Sequence, residues 1–301
     1  MAYLHEEKEQ FIGAINVAAK HFSILPAIIE KDYYVTMILR SLSSKMPFIV
    51  FKGGTSLSKC YKAIKRFSED IDITIDTKIS QGQMGKLKDA IVATSEELGI
   101  TIPNLSETRS RRSYNKYELE YNSVVGDFND LVLSKVIMET SFSEISFPTV
   151  LLPVHSYVGD MMKLEAPDML AEYFLEPFEM KVQGINRTLV DKVFAICDYN
   201  LKGDVKRHSR HVYDIYKLLS LVPLDDDFKA LVNEVRLLRA ENVKLCPSAQ
   251  LNVPELLNRL ITEDVYKNDY EDITTKILEE RISYETAIQA LNKIIESGTF
   301  S

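Results

Sequence analysis

Two aspartates separated by one residue, Asp70 and Asp72, are the side chains whose types and spacing point most directly to chemistry. They begin the run DIDITID, in which isoleucines alternate with polar residues, a pattern that predicts a β-strand with one apolar and one polar face. Residues two apart on a strand point to the same side, which places both carboxylates within reach of one cation. Adjacent carboxylates repel each other unless a cation lies between them. The spacing therefore predicts a cation site.

A glycine pair, Gly53 and Gly54, lies one predicted helix upstream of the aspartates. The preceding run PFIVF predicts a short buried strand, and SLSKCYKAIK predicts the helix that follows. Glycines at such a turn let backbone N–H groups approach a ligand, and the start of a helix favours negative charge, so this turn is suited to a phosphate. Thr55 and Ser56 can cap that helix or offer hydroxyl groups to a phosphate, and Lys52 and Lys59 would add positive charge nearby.

Each of these signals has a plainer explanation when it is taken alone. A Gly-Gly pair also serves as an ordinary strand-to-helix turn, and a bare Asp-x-Asp also occurs at an exposed acidic strand end. The combination favours function, because magnesium in proteins is held by one or two carboxylates together with substrate phosphates, and paired ions can clamp both oxygens of a phosphoryl transfer. We expect one or two Mg²⁺ ions, with a third carboxylate completing the site.

Composition excludes several classes of protein. The chain has 301 residues, 46% hydrophobic content and a net charge of −8, which describes a folded protein and argues against a surface that coats nucleic acid throughout. No apolar run approaches the roughly 20 residues that span a bilayer, and a signal-peptide pattern is missing, so we expect a cytoplasmic protein with no membrane partner. Cys60, Cys197 and Cys246 are too far apart to indicate a disulfide framework or a zinc site.

Hydrophobic periodicity divides the chain into two parts. Two amphipathic helices open it, followed by the strand, helix and strand around the glycines and aspartates. Another helix and three β-rich runs come next, SYNKYELEYNSV, LVLSKVIMETSF and TVLLPVHSYV, after which only helical periods remain, among them TTKILEE. We predict a mixed α/β domain with N-terminal helices over residues 1–185 and a helical domain over residues 186–301.

The glycine turn, helix and Asp-x-Asp together resemble the first motif of the polymerase-β-like nucleotidyltransferase superfamily. More narrowly, KGGTSLSK followed by RFSEDIDI is similar to the AbiEii/AbiGii toxin family, whose RxSxDxD signature would be Arg66, Ser68, Asp70 and Asp72 here. EKDYYV, from Glu30, resembles the N-terminal helix of that family. The resemblance runs from about Glu30 to Leu219 and implies an α+β fold, a polymerase-β-like domain with a mixed sheet followed by a C-terminal helical bundle.

The same resemblance implies roles for residues that spacing alone does not assign. Lys192, in VDKVFAICDY, would contact the nucleoside triphosphate, and Asp214, in RHVYDIYKLL, would orient the site. Arg66 and Ser68 would join the glycine turn in nucleotide binding. The family's third carboxylate falls in a KVxxE context, which indicates Glu139, although Glu118 and Glu120 in YELEY compete and strand alternation does not settle the choice. An Asp191–Lys192 surface ion pair is the plainer explanation for that lysine.

Two basic clusters are candidates for contacting the substrates, namely residues 201–217 and the run RSRRSYNK from Arg109. With Tyr114, Tyr117 and Tyr213 nearby for stacking, they suggest binding of a triphosphate, an RNA backbone or both, although solvated basic faces would look the same. His208 and His211 lack the companion ligands of a metal site.

The family resemblance implies the toxin of a toxin–antitoxin or phage-defence system, which transfers NMP from an NTP to an acceptor hydroxyl. The tRNA 3′ end is the favoured acceptor, and a cognate antitoxin is a possible partner. Two alternatives stay open. One is transfer to a small molecule or a protein hydroxyl, and the other is a catalytically silent fold that binds GTP or a partner protein. Intact Asp70 and Asp72 argue against the silent fold.

Overall fold

The computed structural model describes residues 2–68, 70–110, 112–126 and 133–301, without the side chain of Glu144. The chain forms two compact units. The first contains residues up to Cys60 together with Ser68–Val182, and the second contains Tyr61–Phe67 together with Gln183–Ser301. The predicted division at residue 185 did not anticipate that the short segment 61–67 belongs to the second unit.

The first unit combines a six-stranded sheet with helices, and so has the mixed composition that the sequence predicted. Its helices are α1 (Lys8–Phe22), α2 (Pro26–Lys45), α3 (Gly53–Lys59), α4 (Gln81–Glu97), α5 (Tyr157–Glu165) and α6 (Met169–Glu172), with single 3-10 turns at Leu4–Glu6 and Leu105–Glu107. Its strands are β1 (Ile49–Lys52), β2 (Ile71–Ile75), β3 (Tyr114–Glu120), β4 (Lys135–Ile145), β5 (Thr149–Val154) and β6 (Phe178–Gln183).

The strands of the sheet follow the order β3-β4-β2-β1-β6-β5. β1 pairs antiparallel with β2 and β3 pairs antiparallel with β4, whereas β2 with β4 and β1 with β6 are parallel. Alternation buries one face of β3 and β4, where Tyr117, Val136 and Met138 join a core with side chains from α2 and α4. The other face of these strands is left for polar side chains.

The second unit is helical. It contains α7 (Ile185–Leu201), α8 (Arg210–Leu218), α9 (Asp226–Ala240), α10 (Val253–Thr262), α11 (Lys267–Asp272) and α12 (Tyr284–Ser297), with 3-10 turns at Pro247–Gln250 and Thr274–Ile277. α8 packs against α7 and α12, and α10 packs against α12. Asp225, Asn252 and Ser283 cap the starts of α9, α10 and α12 by accepting backbone N–H bonds.

Most predicted elements are confirmed, and the differences have local causes. α3 ends at Lys59, not near Lys65, because Lys62 has a positive φ of 51° and the following residues bond to the second unit. In TTKILEE only a 3-10 turn forms, and the helix α11 just before it was missed. The run TVLLPVHSYV is a strand only as far as Val154, because Ser156 caps α5.

Among the described residues, no single helix combines the length and apolar composition of a membrane span. By length and composition alone, the pair α1 and α2 meets that criterion together, with a bend of 112° at the break between them.

We predict that Gly159→Ala destabilises the first unit. A Cβ at this position of α5 would lie 2.5 Å from the Leu175 carbonyl oxygen. This oxygen is a backbone atom and cannot move aside without a shift of the main chain. Overpacking of this kind costs about 1–3 kcal/mol. Gly13→Ala in α1 is the matched control, because its Cβ would meet nothing within 4 Å. The control should gain up to about 1 kcal/mol from helix propensity. Urea unfolding followed by circular dichroism measures both, and equal stabilities would contradict the prediction.

Candidate active site

The carboxylate of Asp72 lies directly against the backbone of Gly53. A Cβ built on Gly53 would be 1.9 Å from Asp72 Oδ2, far inside any real contact, and Gly53 also has φ +80°. Glycine is therefore required here for two independent reasons, its conformation and the close approach. Gly53 is the first residue of α3, so the glycine turn and the second aspartate of the sequence motif are in contact.

The strand register places four charged residues in one row across the sheet. Asp72 pairs with Lys52 on β1 and with Glu139 on β4, and Glu139 pairs in turn with Lys116 on β3. Directly paired residues point to the same face of a sheet, and neighbouring strands are about 4.8 Å apart. We call Lys116–Glu139–Asp72–Lys52 the charged row. It brings two carboxylates together between two ammonium groups.

The register also separates the three candidates for a third carboxylate. Glu139 is the neighbour of Asp72, whereas Glu118 and Glu120 lie on β3, one strand farther away. The Glu118 carboxylate is bound to Lys135 at 2.8 Å, and that lysine lowers its pKa. Asp70 precedes β2 by one residue and is partly buried. Within the described ranges, no group of three or more His, Cys, Asp or Glu residues is arranged to hold a metal ion.

The polar side chains of α3 form hydrogen bonds and an ion pair within the protein, which the sequence did not predict. The Ser56 hydroxyl is completely buried and donates to the Gly53 carbonyl oxygen at 2.9 Å, and the Thr55 hydroxyl bonds to Ser68 Oγ at 3.0 Å. Lys59, which was predicted to add positive charge at the glycine turn, is buried. Its ammonium pairs with Asp32 and donates to the His155 carbonyl oxygen, so it connects α3 to α2 and to the residue after β5.

A buried ion triad forms in the second unit from Arg66, Lys192 and Asp214. Arg66 donates two parallel bonds to the Asp214 carboxylate, at 2.7 and 2.8 Å, and Lys192 donates a third at 2.6 Å. Asp214 is 0% exposed, Arg66 3% and Lys192 5%. The plainer explanation of Lys192, a surface ion pair with Asp191, does not hold, because Lys192 is buried and bonds to Asp214. Asp214 is fully buried and binds both cations.

Burial and charge set the protonation of this triad. Burial by itself would raise the pKa of Asp214, but Arg66 and Lys192 outweigh it and hold that pKa well below its usual range. Burial lowers the pKa of Lys192, an effect that Asp214 opposes. Burial, with Lys192 and Arg210 nearby, places the pKa of His211 well below its ordinary value, so its Nδ1 can accept from Lys192 at 3.4 Å.

The triad also fixes the chain that leads to the aspartates. Phe67 N–H donates to the Ile277 carbonyl oxygen at 2.8 Å, and Glu279 N–H donates to Lys65 O at 3.1 Å. Tyr213, one residue before Asp214, bonds through its hydroxyl to both the N–H and the carbonyl of Lys65. Arg66 is thus held on both sides, four residues before Asp70 in the chain.

Some of the aromatic and basic residues that were predicted to contact substrates are buried, and others are exposed to solvent. Tyr117 is 2% exposed and Tyr213 is 0% exposed, so neither ring is available for stacking, whereas Tyr114 is 49% exposed. His208 stacks on Tyr199 with ring centroids 3.4 Å apart. Arg111, part of the run RSRRSYNK, lies outside the described residues.

Sequence reasoning named Lys52 beside the glycine turn and Lys116 within the second basic cluster, but it did not place the two lysines in one row with the carboxylates. In the sequence, Lys52 directly precedes Gly53, and Lys116 ends the run RSRRSYNK. What was missing is the register between strands that are distant in the chain. His211 was considered only as a metal ligand, and its contact with Lys192 required the helix packing of α7 against α8.

Residues 37–291 match the sequence profile of the AbiEii family, described as nucleotidyl transferase AbiEii toxin, type IV TA system. The chain belongs to the AbiEii nucleotidyltransferase toxin family. It is therefore a nucleotidyltransferase that uses an NTP, in a family of type IV toxin–antitoxin systems. No curated protein matches this AbiEii-family sequence.

One solved structure with a similar fold is MenT4, a nucleotidyltransferase toxin from Mycobacterium tuberculosis. The match has a TM-score of 0.52 at 15% identity and covers 94% of this chain and 88% of that chain. At this identity the likeness concerns the fold, and it agrees with the predicted α+β nucleotidyltransferase architecture.

We predict that Gly53→Ala abolishes nucleotidyl transfer by this AbiEii-family protein. The new methyl group would occupy the position of the Asp72 carboxylate and displace it. Gly99→Ala is the matched control, because Gly99 also has a positive φ, of +62°, but its Cβ would meet nothing within 4 Å. Both substitutions introduce a backbone strain of about 1 kcal/mol, because alanine at a positive φ is unfavourable. Initial rates per folded molecule should fall only for Gly53→Ala, and a similar fall in both would show that strain alone matters.

We predict that Asp214→Asn destabilises the second unit by about 3–5 kcal/mol, because it leaves two buried cations without their carboxylate. The control Asp272→Asn removes an exposed carboxylate and should change little. Since the folded-state pKa of Asp214 lies below its unfolded value, its stabilisation is complete above that unfolded value, near pH 4, and is lost as the pH falls further. Urea unfolding across pH should therefore show the gap between wild type and Asp214→Asn narrowing only at acidic pH.

Proposed function

We propose that this protein is a Mg²⁺-dependent nucleotidyltransferase that transfers NMP from an NTP to the 3′-terminal hydroxyl of tRNA. The observation that carries the proposal is the charged row, in which Asp72 and Glu139 are direct neighbours and Asp72 lies against the Gly53 turn. The turn brings backbone close to the carboxylates, as a triphosphate held beside a divalent cation would require.

The donor chemistry of the row fits magnesium. Carboxylate oxygens are the protein ligands that Mg²⁺ prefers, and one or two of them suffice when substrate phosphates supply the rest. Asp72 and Glu139 would hold the ion, with Asp70 as the third carboxylate and one or two ions bound. The ion, when bound, would neutralise negative charge on the transferred phosphoryl group.

The protein's own residues account for the remaining requirements. Lys52 adjoins the Gly53 turn at the end of β1, and its charge favours the triphosphate at that turn. Gly54 follows on α3 without the positive φ that Gly53 requires. In the second unit, Asp214 holds Arg66 and Lys192, and we propose Lys192 as the residue that contacts the nucleotide.

The family resemblance implies tRNA as the acceptor, and surface charge supports an acceptor made of nucleic acid. Arg109, Arg112 and Lys116 are exposed on the first unit although the chain as a whole carries −8, so positive charge is grouped on β3 and just before it. A local basic surface of this kind suits a polyanionic acceptor. We further propose a cytoplasmic enzyme whose toxicity serves phage defence and is countered by a cognate antitoxin.

The test compares the wild type with Asp72→Asn, Glu139→Gln and the control Glu120→Gln. Each protein is incubated with Mg²⁺, one α-labelled NTP at a time and total tRNA, and the products are separated on a denaturing gel. We expect labelled tRNA with the wild type and the control, and a loss of about 100-fold or more in the two charged-row variants. Chelation of the metal with EDTA should abolish labelling in all four.

Label on tRNA that depends on Asp72 would establish the acceptor and name the nucleotide. If no NTP labels tRNA, the acceptor is wrong, and the same assay with small hydroxyl compounds and with cell protein tests the remaining acceptors. Wild-type rates in Glu139→Gln would remove Glu139 from the metal site, leave Asp70 and Asp72 as its ligands, and return Glu118 to consideration.

A further inference from the structure

We propose that the outward face of β3, with the loop that precedes it, docks the single-stranded end of the nucleic-acid acceptor. We call the exposed residues Arg109, Arg112, Tyr114 and Lys116 the β3 docking surface. This inference rests on the proposed function, because it names the subsite and the strandedness of that acceptor. All four residues belong to the first unit, as do Gly53, Asp72 and Glu139.

Tyr114 and Lys116 are aimed to the same side as the catalytic carboxylates. Lys116 pairs directly with Glu139, and Tyr114, two residues earlier on β3, pairs with Ser141, two residues later on β4. Residues two apart on a strand share a face, so Tyr114, Lys116 and Glu139 are on one side of the sheet. The alternate residues of β3, Asn115 and Tyr117, are buried on the other side.

The loop before β3 is held in place by a buried side chain. Asn115 is 6% exposed and forms two bonds with the main chain of Arg109, accepting from its N–H at 2.9 Å and donating to its carbonyl oxygen at 3.0 Å. Arg112 N–H donates to the same carbonyl at 3.2 Å. Main-chain bonds at Arg109 and Arg112 therefore hold both residues near the start of β3.

The composition of the surface identifies its ligand. Three cations suit a phosphate backbone, and a half-exposed tyrosine ring offers a stacking partner to a base. A base can stack on a protein ring only if it is unpaired, so the ligand is a single strand rather than a duplex. The acidic part of β3 lies beyond Lys116, where Glu118 is already neutralised by Lys135.

A purely structural explanation accounts for part of this surface. β3 is the outermost strand on its side of the sheet, and an exposed lysine on an edge strand prevents pairing with other chains. This explains Lys116 alone. It does not explain why a buried asparagine fixes the arginine turn, nor why an aromatic ring is exposed beside the charged row.

The test measures binding and transfer separately in the full chain. A fluorescent short single-stranded RNA is titrated in an anisotropy assay against wild type, Tyr114→Ala, Tyr114→Phe and Arg109→Ala/Arg112→Ala. The matched control is Lys86→Ala, which removes an exposed cation from α4, whose buried residues join the core on the other sheet face. Circular dichroism confirms that each variant is folded.

We expect Tyr114→Ala to weaken RNA binding about ten-fold, and Tyr114→Phe to bind like wild type because the ring is retained. The double arginine variant should lower the salt dependence of binding by about 0.7 per lost phosphate contact. In the transfer assay the KM for RNA should rise while the KM for NTP stays unchanged. Duplex RNA of the same length should bind more weakly than the single strand.

Wild-type RNA affinity in both Tyr114→Ala and the arginine variant would overturn the docking surface, as would equal affinity for duplex and single strand. A rise in the KM for NTP with unchanged RNA affinity would also overturn it, because the surface would then serve the triphosphate. If no transfer to RNA occurs but Tyr114→Ala still loses RNA affinity, the docking surface stands and the proposed reaction fails.

Discussion

The contact between the Asp72 carboxylate and the bare Cα of Gly53 is the constraint on which the first unit depends. It exists because β1 and β2 pair antiparallel in the register that puts Lys52 opposite Asp72, so that the turn after β1 faces the second aspartate. No side chain fits between them. A slip of one residue would turn Asp72 to the apolar face and separate it from both Glu139 and the turn.

The second unit depends on a different interaction, a buried ion pair between Arg66 and Asp214. Arg66 and Asp214 are 148 residues apart in the chain yet form a bidentate pair from which solvent is excluded. Burying such charges is costly unless each is fully paired, and here two cations share one carboxylate while His211 accepts from Lys192. These bonds fix the position of the Arg66 side chain. Through it, a segment that is seven residues long and carries no regular secondary structure acquires a defined conformation before the aspartate motif.

How much of this was predictable follows from which interactions are local. The glycine turn, the strand of alternating isoleucines and the helical second half can be read from periodicity, because each depends on neighbours within a few residues. Glu139 could be nominated but not chosen over Glu118, since both alternate correctly and only the β2–β4 register distinguishes them. The ion pair of Lys59 could not be predicted for the same reason. Its partner Asp32 lies on a helix, 27 residues earlier in the chain. The local sequence around neither residue indicates that the two form a pair.

The charged row explains how a sheet can carry two adjacent carboxylates and still fold. Asp72 and Glu139 repel each other, but Lys52 and Lys116 flank them on the same face, so the four side chains sum to zero. Neutrality of the row therefore does not depend on a bound cation. Because the lysines sit at the two ends and the carboxylates in the middle, positive charge lies outside and negative charge inside. In the proposed reaction, Asp72 and Glu139 at the centre would hold the cation, and Lys52, which adjoins the Gly53 turn, would attract the phosphate oxygens of the triphosphate.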